Sequence, residues 1–372
     1  MSKEDDLVYL CALNMVFYNS PKTGHAITDS FENPADFFSL PHNALKELFG
    51  KKTGYIEKLS CAELLDDAYK EVKWAEEKGV RLLSPGNDDY PQRLASCGDA
   101  PLMLYVAGDA DFNDSGSVSV VGTRLASSYG RETCRKIISH LKESGCDPSI
   151  VSGLAYGIDV CAHRAALDSG LRTIGVLPCG IDRIYPSRHR NIAAEMTVRG
   201  AVVTEFPRGT GVTRYGFIKR NRIIAGMSEA VIVVETRIKG GSMNTVEYAL
   251  SYGRDVFAVP GRISDVNSYG CNYLISKNMA AIYCSRETVP AALGWKKEYI
   301  SEASLQNDIF SFDESKKEKI LLTLTSASSS DMDSIMLATG LGFEEASALM
   351  LELEMEGRIR ENGDNEYYLA DD

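Results

Sequence analysis

No apolar run in this 372-residue sequence reaches the ~18 residues that cross a bilayer. The opening Met1-Ser2-Lys3-Glu4-Asp5-Asp6 lacks the basic and apolar blocks of a secretory signal. Both absences argue against a helical membrane protein and make the cytoplasm the expected location. Paired cysteines are missing too. Nine stand singly, an odd number with no CxxC spacing, so neither a zinc site nor a disulfide framework is expected. Also absent are the dinucleotide fingerprint GxGxxG, the phosphate loop GxxxxGK[ST], the nucleophile elbow GxSxG and the zinc motif HExxH. No cofactor, metal or catalytic residue is expected, and the chain reads as a non-enzyme.

An excess of positive charge is lacking as well, since the formal net charge is −12. That deficit is local. Residues 301–372 hold 17 acidic and 5 basic residues, which leaves 35 of each sign in the rest of the chain. Phosphate is attracted by the field within a Debye length of about 8–10 Å, so a neutral body with a basic patch can still bind nucleic acid.

Helical periodicity marks the segments 7–17, 44–48 and 62–76, which predicts a small helical domain over 1–78. Residues 79–108 read as a lead-in to a core domain spanning 79–295. From Ser117 onward, short β-branched runs alternate with amphipathic, helix-length segments. Strands are expected at 117–121, 149–152, 173–177, 201–205, 230–235, 256–259 and 281–284. Near-continuous apolar strands separated by helices predict a Rossmann-like, doubly wound parallel sheet of the α/β class. A polar linker at 296–313 precedes a module at 314–372. Three helical stretches (316–324, 331–338, 343–356) and a hairpin at 358–368, turning on Glu361-Asn362-Gly363-Asp364, suggest a winged helix.

In such a sheet, ligands bind beyond the carboxyl ends of the strands, where helix N-termini present free N–H groups. Five donor-rich loops are expected there: Val121-Gly122-Thr123-Arg124; Ser152-Gly153-Leu154-Ala155-Tyr156-Gly157; Pro178-Cys179-Gly180 with Tyr185 to Arg188; the stretch from Phe206 to Ile224; and Lys239 to Thr245, which includes Gly241 and Ser242. The fourth holds Arg208, Arg214, Lys219, Arg220 and Arg222 with no acidic residue, and Tyr215 and Phe217 lie among them. Cations interleaved with aromatic faces suit single-stranded nucleic acid. Each loop alone reads as an ordinary turn, and Arg222 alone as a core ion-pair partner; their convergence gives the binding reading. Asp159 and His163, four apart on one helix face, read as a structural hydrogen bond.

At these motifs the chain resembles the DNA-processing protein A (DprA/Smf) family. The matching stretches are Val121 to Arg124, SGLAYGIDVCAHRAAL from Ser152, Tyr185-Pro186, RNRIIAGMS from Arg220 (including Asn221), and GRDVFAVPGRISDVNSYG from Gly253. The resemblance covers about residues 82–284. It implies a homodimer that coats and protects single-stranded DNA and loads the RecA recombinase in transformation or recombination, and a SAM-like N-terminal domain. It also implies that Arg124 with its loop, Lys219, Arg220 and Arg222 grip phosphates, with Gly241, Ser242 and Thr245 preserved and Arg188 just after a position that often carries a base. Tyr156 and Ser187 stand where many members carry a base.

The alternative is an enzyme, a nucleotide hydrolase on the related phosphoribohydrolase-like fold, associated with PGGxGTxxE. Here Gly240-Gly241 is followed by Ser-Met-Asn-Thr, which puts Glu247 out of register. For the C-terminal module, the candidate recognition helix at 343–356 carries five glutamates and no base, so a partner-binding or autoinhibitory role is expected rather than groove reading.

Overall fold

The β-branched runs pair as the alternation requires. In the computed structural model, which describes residues 3–31, 33–50, 52–113, 116–295, 316–325, 327, 329–362 and 366–370, nine strands form one sheet. They are β1 (Val80–Leu83), β2 (Leu104–Gly108), β3 (Ser117–Val121), β4 (Ser149–Ser152), β5 (Thr173–Val176), β6 (Ala201–Thr204), β7 (Ala230–Val233), β8 (Asp255–Ala258) and β9 (Ala281–Ile282). Their order is β1-β2-β6-β5-β4-β3-β7-β8-β9. β6 through β9 are mutually parallel, with helices in the crossovers.

Residues 79–108 are more than a lead-in. β1 and β2 extend the sheet antiparallel beyond β6, with Leu83 opposite Leu104 and Val106 opposite Val203. Both faces are covered, so the strands show no polar face. Val118 and Val120 pack under the helices Ser128–Glu143 and Ile158–Asp168. Val121, Val231 and Val233 pack with Ile223, Ile224 and Val246 of helices Arg214–Gly226 and Gly241–Ser251 on the other side.

Six N-terminal helices, from Lys3–Phe17 to Leu64–Glu77, enclose Leu13, Phe17, Phe37 and Phe49. Cys11, Ala12, Ala68 and Val72 of this layer share a core with Met103, Tyr105 and Val202, so helices and sheet form one unit, Met1–Lys296. The second unit spans Lys297–Asp372. Helices at 316–325, Met332–Thr339 and Phe343–Met355 close on Ile320, Ile335, Leu349 and Leu353. Beside them lies a sheet of β10 (Ser330–Asp331), β12 (Glu366–Leu369) and β11 (Ile359–Glu361), as in a winged helix. The linker at 296–313 and positions 363 and 364 of the hairpin turn lie outside the described residues. Among the described residues, no helix is long and apolar enough to cross a membrane.

Candidate functional site

From β3 the chain winds through β4 and β5 to β6 on one side, then returns through β7 to β9 on the other. The winding direction therefore reverses between β3 and β7, where an open α/β sheet leaves a crevice. Two loops border it, and they are tied together: the Thr123 N–H donates to the Glu235 carbonyl at 2.7 Å. The loop after β4 joins them through Ile158 N–H to the Thr123 carbonyl at 3.2 Å. Such convergence needs glycine. Gly157 has φ +81°, and a Cβ there would lie 2.1 Å from the Thr123 carbonyl oxygen. A Cβ on Gly122 would lie 2.6 Å from Ile158 Cγ1.

The resulting cleft, about 240 Å³, is lined by Gly122, Thr123, Arg124, Arg220, Asn221, Gly241, Ser242 and Thr245, all sequence-predicted, together with Phe217 and Asp159. The Arg124 guanidinium sits 4.5 Å from the Phe217 ring centre, with Arg220 at 5.9 Å and Tyr185 edge-on at 5.6 Å. Helix Gly241–Ser251 starts at the cleft without a side-chain cap, so its first N–H groups and positive dipole end face it. Asn221 reaches the same end through the Gly241 carbonyl at 3.2 Å. Asp159 is 7% exposed; burial pushes its carboxyl up, against the pull of Arg220 and Arg124.

The basic stretch is a helix where a loop was expected. Thr213 caps it by accepting the Gly216 N–H at 2.9 Å, and its cations diverge around the axis. Arg220 turns into the sheet and donates to the carbonyls of Gly153 and Val176. Burial lowers its pKa to about 10, so it stays charged at neutral pH. A side chain on Gly153 would collide with this guanidinium.

Lys219 and Arg222 do not line the cleft, which corrects their expected role as phosphate ligands. Arg222, 2% exposed, pairs with the Glu205 carboxylate and donates to the Asp99 carbonyl. Lys219 lies 3.9 Å from the same carboxylate and donates to the Tyr18 carbonyl. Glu205 is fully buried, and an unpaired carboxylate there would be costly. Burial depresses the Lys219 ammonium to about 8, with Glu205 opposing. Tyr215, 56% exposed, borders a separate hollow with Asp99 and Lys219.

Ser152 is fully buried, donating to the Val120 carbonyl at 2.6 Å, and it supports the loop rather than facing ligand. Tyr156 and Arg188 line a second hollow of about 910 Å³, which shares Arg124 with the cleft. The Asp159–His163 hydrogen bond expected from their spacing is replaced by others. His163 accepts the Leu154 N–H at 3.3 Å and meets the Thr173 hydroxyl at 2.6 Å; burial holds its pKa near 3, so it is neutral. Missed altogether were Arg131, Arg135 and Arg164 around the second hollow. They lie on helices, outside the loops searched; the i, i+4 spacing of Arg131 and Arg135 was the available signal.

The sequence matches the model of the DNA recombination-mediator protein A family over residues 81–294 and that of the DprA winged helix domain over 311–365. Protein Smf of Synechocystis is 36% identical over 273 residues, 70% of this chain and 67% of that protein. A putative DNA processing protein DprA of Mycobacterium tuberculosis is 36% identical over 57% of each chain, so the match spans little more than half of that relative. A solved DNA processing protein A from Helicobacter pylori, described for its single-stranded DNA binding mode, aligns with TM-score 0.52 and 28% identity over 57% of this chain and 95% of its own.

Proposed function

Because the chain belongs to the DNA recombination-mediator protein A family, we propose that it binds single-stranded DNA at the cleft between β3 and β7, protects it and loads the RecA recombinase, as a cytoplasmic homodimer without catalytic activity. One observation carries the binding step: the exposed Arg124 guanidinium over Phe217, beside an uncapped helix N-terminus. Phosphate needs the cation and the N–H donors, and a base needs the aromatic face. The single-stranded DNA binding mode described for the Helicobacter protein supports the same reading.

Against hydrolase chemistry, Asp159 is the one carboxylate lining the cleft among the described residues, and it is buried against two arginines. Glu247 is exposed and outside the lining. A titration of single- against double-stranded DNA across salt concentrations tests the proposal. The expected outcome is a preference for single strands, with log K falling steeply as log salt rises. Equal affinity for both forms, or base release from a nucleoside monophosphate, would sink it.

A further inference from the structure

The second hollow resembles a binding site more than a gap in packing. Five arginines border it: Arg124, Arg131 and Arg135 from β3's loop and helix, Arg164 from the next helix, and Arg188. Asp168 is the one acidic residue in its lining, and Arg164 is the one arginine of the five that pairs with a carboxylate among the described residues, to Glu195 at 2.7 Å. The other four form no ion pair with a carboxylate among the described residues, and cations crowded around one space repel each other and concentrate a field that favours a polyanion. The rim adds the exposed faces of Tyr156 and Leu125, 44% and 73% accessible. Arg124 lines both spaces, so an anion leaving the cleft meets the hollow without a break.

We propose that this arginine-lined hollow takes the sugar–phosphate backbone of the same DNA strand as it leaves the cleft, making Arg131 and Arg135 ligands of a second segment. The inference rests on the cleft reading above and extends the site from a single pocket to a track.

The test compares the wild type with Arg131→Ala/Arg135→Ala on oligothymidylates of increasing length. Both residues are exposed, so folding should survive; circular dichroism checks it. Short oligomers, confined to the cleft, should bind both proteins alike. As length grows the variant should fall behind, with its slope of log K against log salt flatter by about 0.7 per lost contact. Lys142→Ala, on the same helix but paired with Asp147 outside the hollow, should change nothing. Cys161 gives an independent readout. It lines the hollow, half-buried, and the neighbouring Cys134 thiol with Arg135 and Arg131 lowers its pKa below that of an ordinary thiol, which favours reaction with maleimide. Long oligomers should protect it from maleimide, with exposed Cys61 and Cys284 as references. A wild-type protein that binds longer oligomers better while the variant matches it in slope would overturn the track. So would protection of Cys161 by inorganic phosphate as complete as by a long oligomer. A wild type that binds no DNA would instead overturn the cleft reading itself.

Discussion

Two helices of 13 residues carry opposite charge in this chain. Arg214–Gly226 holds Arg214, Lys219, Arg220 and Arg222 with no acidic residue; Phe343–Met355 holds Glu344, Glu345, Glu352 and Glu354 with no basic one. Read as strings, the first should display its charge to a ligand and the second should repel phosphate. Packing treats them differently. In the first helix three of four cations are buried, and Arg220 alone of those three reaches the cleft. In the second, Glu345 and Glu352 stay at the surface, paired with Lys316 and Lys317. The charge on a helix therefore says little about the field outside it until burial is known. The cations that line the open cleft and hollow, Arg124, Arg131, Arg135 and Arg188, are instead scattered over other elements.

The largest effect expected from this contrast is on stability. Arg222→Met leaves the Glu205 carboxylate without its closest partner in the core and should cost about 3–5 kcal/mol. Urea unfolding followed by tryptophan fluorescence reads it, since Trp74 and Trp295 both lie in the first unit. Glu352→Gln in the acidic helix breaks a surface pair and should cost about 0–1 kcal/mol by thermal circular dichroism. Similar costs at the two sites would erase the distinction between them.

Next comes the split within the basic helix. Phe217→Ala should lose about 1–3 kcal/mol of single-strand affinity, whereas Tyr215→Ala, outside the cleft, should lose almost none. Both can be read by fluorescence anisotropy with a labelled oligonucleotide. A Tyr215 loss as large as that of Phe217 would move the base-stacking face out of the cleft.

A third effect depends on pH. His163 binds a proton near pH 3 when folded but near 6.5 when unfolded, so acidification favours the unfolded chain. Between pH 6.5 and about 5, the first unit should lose up to about 1.4 kcal/mol of stability per pH unit. His163→Gln should flatten that dependence in thermal melts. The second unit has no histidine and should not share it. An unchanged slope in the variant would assign the effect to other groups.

The smallest effect concerns the acidic unit. Ending the chain after Trp295 removes a net charge of −11 and leaves about −1, and single-strand affinity should hold or rise slightly, most visibly at low salt where repulsion is least screened. A marked loss of affinity with the fold intact would make the winged helix part of the DNA site.

How far the sequence reveals all this differs by feature. β3 to β8 stand out because both faces are covered and their residues are nearly all apolar or small, with Ser119 alone interrupting the interior of β3. β1 and β2 do not: Leu102 to Val106 forms a similar run, but no helix-length segment separates it from a partner of the same kind, and antiparallel edge pairing left no periodic mark. Gly122, Arg124 and Gly241 were legible from the loop chemistry that any switch-point crevice requires. Lys219 was not, and for Arg222 the core ion pair stood only as the alternative reading, because their neighbour Glu205 sits on the far side of the turn and only the fold shows it facing inward. Arg131 and Arg135 gather with Arg188 in space while standing more than fifty residues from it in the chain.

Arg220 has a further consequence. By bridging the carbonyls that end β4 and β5, it fixes the rotation of the helix carrying Phe217. Both bonds come from one nitrogen, Nη1, whose two N–H groups are held in the guanidinium plane, so a lysine at 220, with a shorter stem and a rotating ammonium, would keep the charge and lose the fixed direction of the bridge. The freedom of that ring is surrendered when the chain folds, long before a strand arrives. The entropy of ordering then falls mainly on the nucleic acid, and little of the stacking free energy is spent on immobilising the protein.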